Sequence, residues 1–416
     1  MSGLGVKKHW WGGQAGFQEV RIGLINVKKF FWNICEKFVE SHHLMAGVML
    51  SIFIFTASPN PLTMAIQKGK KKISLKDIAK KAGVSTALVS YVLNGKDKEG
   101  RVGKERALKI NKIAKELNYQ VHHIAKSLRS GKSYTIGLVL ADISNPFFAN
   151  IARVVENQAK SYGYTVISGS SDENAEKSWD LIKVLIHRQV DGFIIVSSEK
   201  SQYQVEHLIK ENIPFVLLDR YFPEISTDFV STDNHKAAYQ AGMHLLNMGY
   251  HRPGLIAYKS DLYHMQERIR GYRDALKETR TKFSGPWLQK VRFSEAEKEV
   301  KTAIDRMFAC KEPVDAIIFS TYNLAVNGLK YLNELKIKVP DDVAIVSFGQ
   351  ADVFDLYYCP ITYIRQDLDN LGKSSVDILV RKIRNNPGQH EQVLMDAKLI
   401  ERDSSRQKKQ TRAAKN

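Results

Sequence analysis

Residues 74–94 read SLKDIAKKAGVSTALVSYVLN, and this stretch decides the fold of the N-terminal part of the chain. Ser74 and Asp77 have the Ser-x-x-Asp spacing of a capping box, so we predict that a helix begins there. Gly83 ends that helix, because glycine tolerates the left-handed backbone that a sharp turn needs. Ser85 can then cap a second helix. The stretch therefore predicts two short helices joined by a tight turn.

The second predicted helix has one apolar face and one small, polar face. The inward-facing side chains recur at helical spacing and are Leu88, Val89, Val92 and Leu93. The predicted DNA-binding positions are Ser85, at the helix start, and the outward-facing Thr86, Ala87, Ser90, Tyr91 and Asn94. Small polar groups with a single aromatic ring suit a surface that enters a DNA major groove. The alternative interpretation is an ordinary helical hairpin on a solvated surface.

Positive charge is concentrated around this stretch. Residues 65–132 hold 18 Lys and Arg against 5 Asp and Glu, whereas residues 133–401 hold 32 against 35. Residues 102–118 predict a third helix, and its inner face is Ala107, Ile110, Ala114 and Leu117. Charge concentrated in one small domain is typical of a protein with a polyanionic partner. The context therefore favours a helix-turn-helix DNA-binding domain, over residues 64–120, against the plain hairpin.

At these residues the chain resembles the LacI/GalR, or lactose-repressor, family of bacterial transcription regulators. The matching segments are LKDIAKKAGVS, VSYVLNG, LNY and IAKSLRSGKS, in that order. The resemblance covers the chain from Met64 to Arg402. It implies a cytoplasmic repressor that binds a near-palindromic operator DNA as a homodimer. It also implies control by a small-molecule effector, a sugar or a sugar derivative.

Residues 121–133 connect the basic domain to the rest of the chain. They contain IAKSL, which is too apolar for a flexible tether, although a plain linker is the simplest interpretation. In the family that the chain resembles, this segment is a hinge helix that inserts a Leu pair into the minor groove of the operator. That resemblance makes Ala125, Lys126 and Leu128 DNA-binding residues. Val121 stands where many family members have Pro, a change that we expect to loosen the start of the hinge.

From Tyr134 onward the sequence alternates between strands and amphipathic helices. The predicted strands are continuous apolar runs at residues 135–140, 165–171, 192–198, 214–220, 254–258, 316–320 and 343–348. This alternation predicts an α/β fold of parallel sheets with helices on both faces. The resemblance implies two lobes of a periplasmic-binding-protein-like core over residues 134–402. It places the crossovers between the lobes near Arg220, Thr362 and Lys398.

Candidate effector-binding residues follow the predicted strands, because ligands bind beyond the carboxyl ends of strands in open parallel sheets. They are Asn145, Phe147, Phe148, Arg268, Phe319, Tyr322, Asn323 and Gln350. Aromatic faces in a cleft suit stacking on a sugar or a flat ring, although one of Phe147 and Phe148 is expected to fill the core. By the resemblance, Arg268 donates paired hydrogen bonds to the effector. Gly349 stands where the family often has a sugar-binding Asp, so the resemblance leaves the effector undefined.

The cysteines and histidines form no catalytic or metal-binding pattern. Cys35, Cys310 and Cys359 are far apart in the sequence and fit a reducing cytoplasm. No His-x-Glu with a Cys pair and no Ser-His-Asp order stands out. We therefore predict that the protein is not an enzyme and uses no metal or other cofactor.

The two ends of the chain differ from the rest. Residues 1–63 have no clear helical or strand period, and the apolar run at residues 44–57 is shorter than the ~20 residues of a membrane span. We interpret Met64 as the natural start and residues 1–63 as a non-native or disordered extension. The alternatives are a signal peptide or a membrane anchor, which would suit an exported or tethered sugar-binding protein on the same core fold. Residues 403–416 are polar and basic and are predicted to be disordered.

Overall fold

The computed structural model describes residues 73–93, 102–117, 119, 132–384 and 389–408, and the chain divides into two compact units between residues 120 and 121. The described residues of the first unit form three helices, α1 (Leu75–Ala82), α2 (Thr86–Leu93) and α3 (Lys104–Glu116). No helix among the described residues is long and apolar enough to cross a membrane. The apolar run at residues 44–57 lies outside the described residues.

Local sequence signals set the boundaries of α1 and α2. The backbone N–H of Ser74 donates to the Asp77 carboxylate at 2.8 Å, which confirms the predicted capping box. Gly83 follows α1 with a φ of 70°, in the left-handed region that favours glycine. The Ser85 hydroxyl accepts a hydrogen bond from the backbone N–H of Leu88 at 3.2 Å, so it caps α2 as predicted.

All three helices contribute to one small core. Its buried members are Ile78, Ala79, Ala82, Val89, Val92, Ile110, Ile113 and Ala114. Ala107 and Leu117 of the predicted inner face are only partly buried, whereas Ile113, which was not predicted, is a buried member of this core. Burying a Val or Ile side chain contributes roughly 1.5–3 kcal/mol, so this core stabilises the packing of the three helices.

The second unit has two lobes, each built on a six-stranded sheet. Lobe 1 contains β1 (Thr135–Leu140), β2 (Thr165–Ser170), β3 (Gly192–Ile195), β4 (Phe215–Leu218), β5 (Phe229–Thr232) and β11 (Gln392–Met395). Their order across the sheet is β11-β5-β4-β3-β1-β2, and every pairing is parallel. Its helices are α4 (Pro146–Ser161), α5 (Ala175–His187), α6 (Gln202–Lys210) and α12 (Leu368–Arg384).

Lobe 2 repeats this plan with one antiparallel edge. It contains β6 (Pro253–Tyr258), β7 (Leu288–Val291), β8 (Ala316–Phe319), β9 (Ala344–Phe348), β10 (Thr362–Arg365) and β12 (Lys398–Ile400). The order is β12-β10-β9-β8-β6-β7, with β12 antiparallel to β10. Its helices are α7 (Asn234–Asn247), α8 (Tyr263–Glu278), α9 (Ala296–Ala309), α10 (Tyr322–Glu334) and α11 (Val353–Leu356). The predicted α/β fold with two parallel-sheet lobes is confirmed.

The chain passes between the lobes three times. The first crossover follows β5, at Asp233, and the other two lie at residues 366–367 and 396–397. The predicted crossover near Arg220 is therefore wrong, because β5 still belongs to lobe 1 and was too short and polar to be recognised as a strand. The predictions near Thr362 and Lys398 fall within a few residues of the observed crossovers.

Two further predictions need correction. The run at 165–171 does not form a buried strand, because β2 lies at the edge of its sheet and Ile167 on it is exposed. Residues 403–408 are not disordered: Asp403–Ser405 forms a 3-10 turn with Ser404 and Ser405 buried. The Ser404 hydroxyl donates to the carbonyl of Ile345 at 2.7 Å, so polar packing against β9 orders a segment that has no apolar pattern.

Candidate DNA-reading surface and effector cleft

The outer face of α2 presents the predicted DNA-binding side chains to solvent. Thr86 and Ala87 are exposed, Ser90 is half-buried, and 44% of the Tyr91 surface is accessible. Ser85 is exposed too, although its hydroxyl already caps the helix. The other predicted DNA-binding residues, which are Asn94, Ala125, Lys126 and Leu128, lie outside the described residues.

A cavity of about 620 Å³ lies between the two lobes of the second unit, at the carboxyl ends of their strands. Seven of the eight predicted effector residues line it: Asn145, Phe147, Phe148, Arg268, Tyr322, Asn323 and Gln350. Asn145 caps α4, since its side-chain oxygen accepts from the backbone N–H of Phe147 at 3.0 Å. The Phe147 and Phe148 rings meet edge to face at 5.0 Å, with Phe148 in the lobe 1 core and Phe147 half-exposed. One of the two is therefore a core residue, as expected.

The predicted effector residue Phe319 does not reach the cleft. It is completely buried in the core of lobe 2, where its ring faces Gly328 on α10. A Cβ atom at Gly328 would lie 2.1 Å from the Phe319 ring, so glycine is required for this packing. Phe348, at the end of the neighbouring strand, lines the cleft instead.

Arg268 lies on α8 in the floor of the cleft, with only 5% of its surface accessible. Its Nε donates to Asn234 Oδ1 at 2.8 Å and one Nη donates to the carbonyl of Ser320 at 2.6 Å. The guanidinium lies 3.7 Å from the centre of the Phe348 ring. Burial lowers the pKa of Arg268 to about 10, so it stays charged at neutral pH. Two hydrogen bonds and the contact with the Phe348 ring thus fix the plane of the Arg268 guanidinium.

Sequence reasoning missed a second buried arginine in the cleft. Arg220 donates from both Nη atoms to the two carboxylate oxygens of Glu173, at 2.6 and 2.7 Å. Burial opposes its charge, but Glu173 and Asp219 raise the pKa of Arg220 above its ordinary value. Asp219 is buried beside it, and burial raises the pKa of its carboxyl group. The signal was present in PFVLLDR, where two charged residues end an apolar run.

His264 is a further buried polar group that sequence reasoning missed. It lies one helical turn before Arg268 on α8 and lines the cleft with 6% of its surface accessible. Burial, together with the positive charges of Arg220 and Arg268, holds the pKa of His264 well below its usual range, so the ring is neutral. Among the described residues, neither His264 Nδ1 nor Arg220 Nε has a hydrogen-bond partner.

Aromatic rings from lobe 2 complete the cleft wall. Tyr258 and Phe293 also line the cavity, and their ring centres are 5.3 Å apart. Phe293 was missed because it follows the short strand β7, whose sequence LQKV has no apolar run. The cleft therefore combines aromatic walls with a floor of two arginines, two carboxyl groups and a neutral histidine.

A helix-turn-helix unit followed by a two-lobe binding core defines a class of protein, the ligand-responsive DNA-binding regulators. Comparison with known proteins gives the same class. A family model described as "Bacterial regulatory proteins, lacI family" matches residues 74–121. Another, described as "Periplasmic binding protein-like domain", matches residues 243–405.

The relatives identify the family. The ribose operon repressor of Halalkalibacterium halodurans is 32% identical over 336 residues, which are 80% of this chain and 97% of that protein. The transcriptional repressor PurR of Photobacterium profundum is 28% identical over 333 residues, 80% of this chain and 98% of its own. The chain belongs to the lacI family of bacterial transcription regulators, which confirms the resemblance and the regulatory function predicted from the sequence.

Solved structures agree with this assignment. The lac repressor dimer bound to operator and an anti-inducer has a TM-score of 0.70 at 20% identity, over 81% of this chain and all of that one. At that identity the likeness concerns the fold. A LacI-family regulator of Enterococcus faecium with bound ribose has a TM-score of 0.59 at 26% identity, over 66% of this chain and all of that one. Both curated relatives are named as repressors and neither as an enzyme.

Proposed function

We propose that this protein is a cytoplasmic repressor that binds a near-palindromic operator as a homodimer. A neutral sugar or sugar derivative, bound in the cleft between the lobes, controls the affinity for DNA. The observation that carries the proposal is the combination of an exposed, small polar face on α2 with a cleft in which the buried Arg220 is paired with Glu173. The mechanism is allosteric, because effector and operator bind at different units of one chain.

The exposed face of α2 supports the DNA-binding half of the proposal. Thr86 and Ala87 are small and can approach base edges closely, and Ala87 can offer apolar contact to a thymine methyl group. Tyr91 is the largest exposed group on this face and carries a hydroxyl that can donate or accept. Asn94, Ala125, Lys126 and Leu128 remain predicted DNA-binding residues from the sequence. The basic residues around them provide the sequence-independent attraction to phosphate.

The charge balance of the cleft supports a neutral effector. Near the floor of the cavity the carboxyl groups of Glu173 and Asp219 lie beside the guanidinium groups of Arg220 and Arg268. The other charged residues of the lining are all exposed and are Asp352, Arg365, Asp367, Asp369, Asp396 and Lys398. An ionic ligand would add an unbalanced charge beside the buried groups at the floor, and burying such a charge is costly. A neutral ligand with hydroxyl groups avoids that cost. Its hydroxyls can also pair with Arg220 Nε and His264 Nδ1.

The aromatic walls favour a ring-shaped ligand. Phe147 and Phe148 lie on the lobe 1 side, and Tyr258, Phe293 and Tyr322 lie on the lobe 2 side. The C–H faces of a sugar ring pack well between such surfaces while its hydroxyls point to polar groups at the floor. The effector-binding residues that we propose are therefore those seven predicted residues that line the cleft, together with Arg220 and His264.

Binding to genomic DNA tests the function directly. Sheared genomic DNA is captured with the purified protein and sequenced, in the presence and absence of a panel of neutral mono- and disaccharides. We expect enrichment of fragments that share one near-palindromic sequence, and loss or gain of that enrichment with one member of the panel. Capture with no shared sequence would contradict operator recognition. Enrichment that no sugar alters, with no thermal stabilisation by any sugar, would contradict the proposed effector class.

A further inference from the structure

Apart from the three crossovers, the lobes meet at a small junction beside the cleft. We call this junction the interlobe latch and define it by Glu199 and Tyr221 from lobe 1 and by Asp261, Leu262 and Tyr263 from lobe 2. Its lobe 2 part precedes and begins α8. Its lobe 1 part follows β3 and β4. The latch is therefore built from loops at the carboxyl ends of strands in both sheets.

The apolar part of the latch is a leucine from lobe 2 that packs in the core of lobe 1. Leu262 is buried and packs in the hydrophobic cluster of lobe 1, which includes Phe222 and Phe229. Every other buried member of that cluster lies in lobe 1. The Tyr221 ring stacks on Phe229 with centres 3.8 Å apart, and it meets the ring of Tyr263 edge to face at 5.2 Å. A lobe 2 element thus completes a lobe 1 core.

The polar part of the latch is a hydrogen bond between the lobes. The backbone N–H of Asp261 donates to a carboxylate oxygen of Glu199 at 2.9 Å. A cavity of about 250 Å³ lies at the same place, lined among others by Glu199, Phe222 and Tyr263. Side chains around a void lack part of the dispersion contacts of a close-packed core. The residues of the latch that surround this cavity are therefore less closely packed than the residues of either lobe core.

The latch is joined directly to the effector cleft on both sides. Tyr221 follows Arg220, which lines the cleft, and Tyr263 precedes His264, which lines it from the other lobe. The same helix, α8, carries Arg268 one turn further on. A displacement of either cleft residue must therefore move its neighbour in the latch, because a single peptide bond connects them.

We propose that the interlobe latch holds the two lobes together in the effector-free chain, so that its strength sets the population of molecules in which the lobes are in contact there. A ligand that contacts both Arg220 and His264 then shifts an equilibrium that the latch has already biased. The proposal goes beyond the proposed function, since it concerns the free chain and its test requires neither the operator nor the effector.

The test compares two leucine-to-alanine substitutions in the full chain, one at the residue before α8 and one within α8. Leu262→Ala removes the residue that joins the lobes, and Leu276→Ala removes a buried leucine of α8 that packs in the core of lobe 2. Hydrogen exchange is measured at residues 219–224 and 258–264, and the radius of gyration is measured by small-angle scattering. We expect Leu262→Ala to speed exchange at both segments by about tenfold or more and to increase the radius of gyration. Leu276→Ala weakens the core of lobe 2 itself, so it should leave exchange at residues 219–224 and the radius of gyration unchanged.

A milder variant guards against a simple loss of folding. Glu199→Gln weakens the acceptor of the Asp261 N–H without removing packing, so it should speed exchange at residues 258–264 in the same direction but by less. The proposal is overturned if Leu262→Ala leaves residues 219–224 protected as in the wild type or leaves the radius of gyration unchanged. It is equally overturned if the two leucine variants behave alike, because Leu262 would then be ordinary core packing.

Discussion

Replacement of Tyr91 by alanine tests whether this side chain reads the operator. Tyr91 is the largest exposed group on α2, while Val89 and Val92 on the opposite face are buried in the core of the unit. Its ring does not fold back into that core. Truncating an exposed side chain changes folding stability by about 0.5 kcal/mol or less. Any larger loss of operator affinity therefore reports on DNA contact and not on the fold.

The magnitude follows from what the side chain can do. A tyrosine that contacts base edges through its ring and hydroxyl contributes about 1–3 kcal/mol at particular base pairs. Tyr91→Ala should therefore lower affinity for the preferred operator roughly 5- to 150-fold and relax the preference at one or two positions. Tyr91→Phe should retain the ring contact and lose only the part that depends on the hydroxyl.

The assay is selection of binding sites from a random DNA pool, followed by titration of the selected site and of a scrambled duplex. Lys76→Ala is the control, since it removes one exposed positive charge from α1. That control should weaken binding to all sequences alike, and it should reduce the slope of log affinity against log salt concentration by about one. An unchanged preferred sequence with Tyr91→Ala, accompanied by a uniform fall in affinity, would refute base reading by Tyr91.

Three further predictions concern the core unit. Arg268→Met should weaken effector binding about 10-fold or more, because it removes a charged donor held in a fixed position. The control is Arg365→Met, at an exposed arginine of the same cleft, which should change effector affinity little. Calorimetric titration with the sugar identified by DNA capture measures both affinities. Gly328→Ala should lower the free energy of unfolding by at least about 1–3 kcal/mol, because its Cβ would lie 2.1 Å from the Phe319 ring. Denaturant titration measures this free energy, and an unchanged midpoint would contradict the close packing. Stability should fall as the pH drops below about 6.5, since the pKa of His264 is depressed in the folded state and the unfolded chain binds the proton more readily. His264→Gln should reduce that slope by up to about 1.4 kcal/mol per pH unit in urea titrations, and an identical slope would exclude His264 as its source.

The sequence by itself determined the helix boundaries in the described part of the N-terminal unit. A capping box at Ser74, a left-handed Gly83 and a cap at Ser85 act over three or four residues, so no distant partner is needed to place them. The apolar period of α2 likewise fixed which side chains are exposed. Long apolar strands such as β1 and β9 were also predictable, because a buried parallel strand is recognisable from its own residues.

The tertiary structure alone decided which residues meet in the cleft. Phe319 pairs with Ser347 across the β8–β9 ladder, so Phe348, one residue later, points to the opposite side of the sheet. That register puts the two buried rings on opposite faces of the sheet, with Phe348 beside Arg268 at the cleft and Phe319 away from it, although both end apolar runs. Strand pairing is a contact between residues far apart in the chain, and neither local sequence contains it.

The same reason explains the remaining differences. The strands β5, β7, β10, β11 and β12 have three or four residues each and are stabilised by neighbours in the sheet, not by an apolar run of their own. Arg220 and Glu173 form an ion pair although they are 47 positions apart in the sequence, and Ser404 donates a hydrogen bond to Ile345, which is 59 positions away. Local propensity and spacing fix the helices and turns that depend on a few adjacent residues. Charge pairing, strand register and the latch depend on which segments the completed fold brings together.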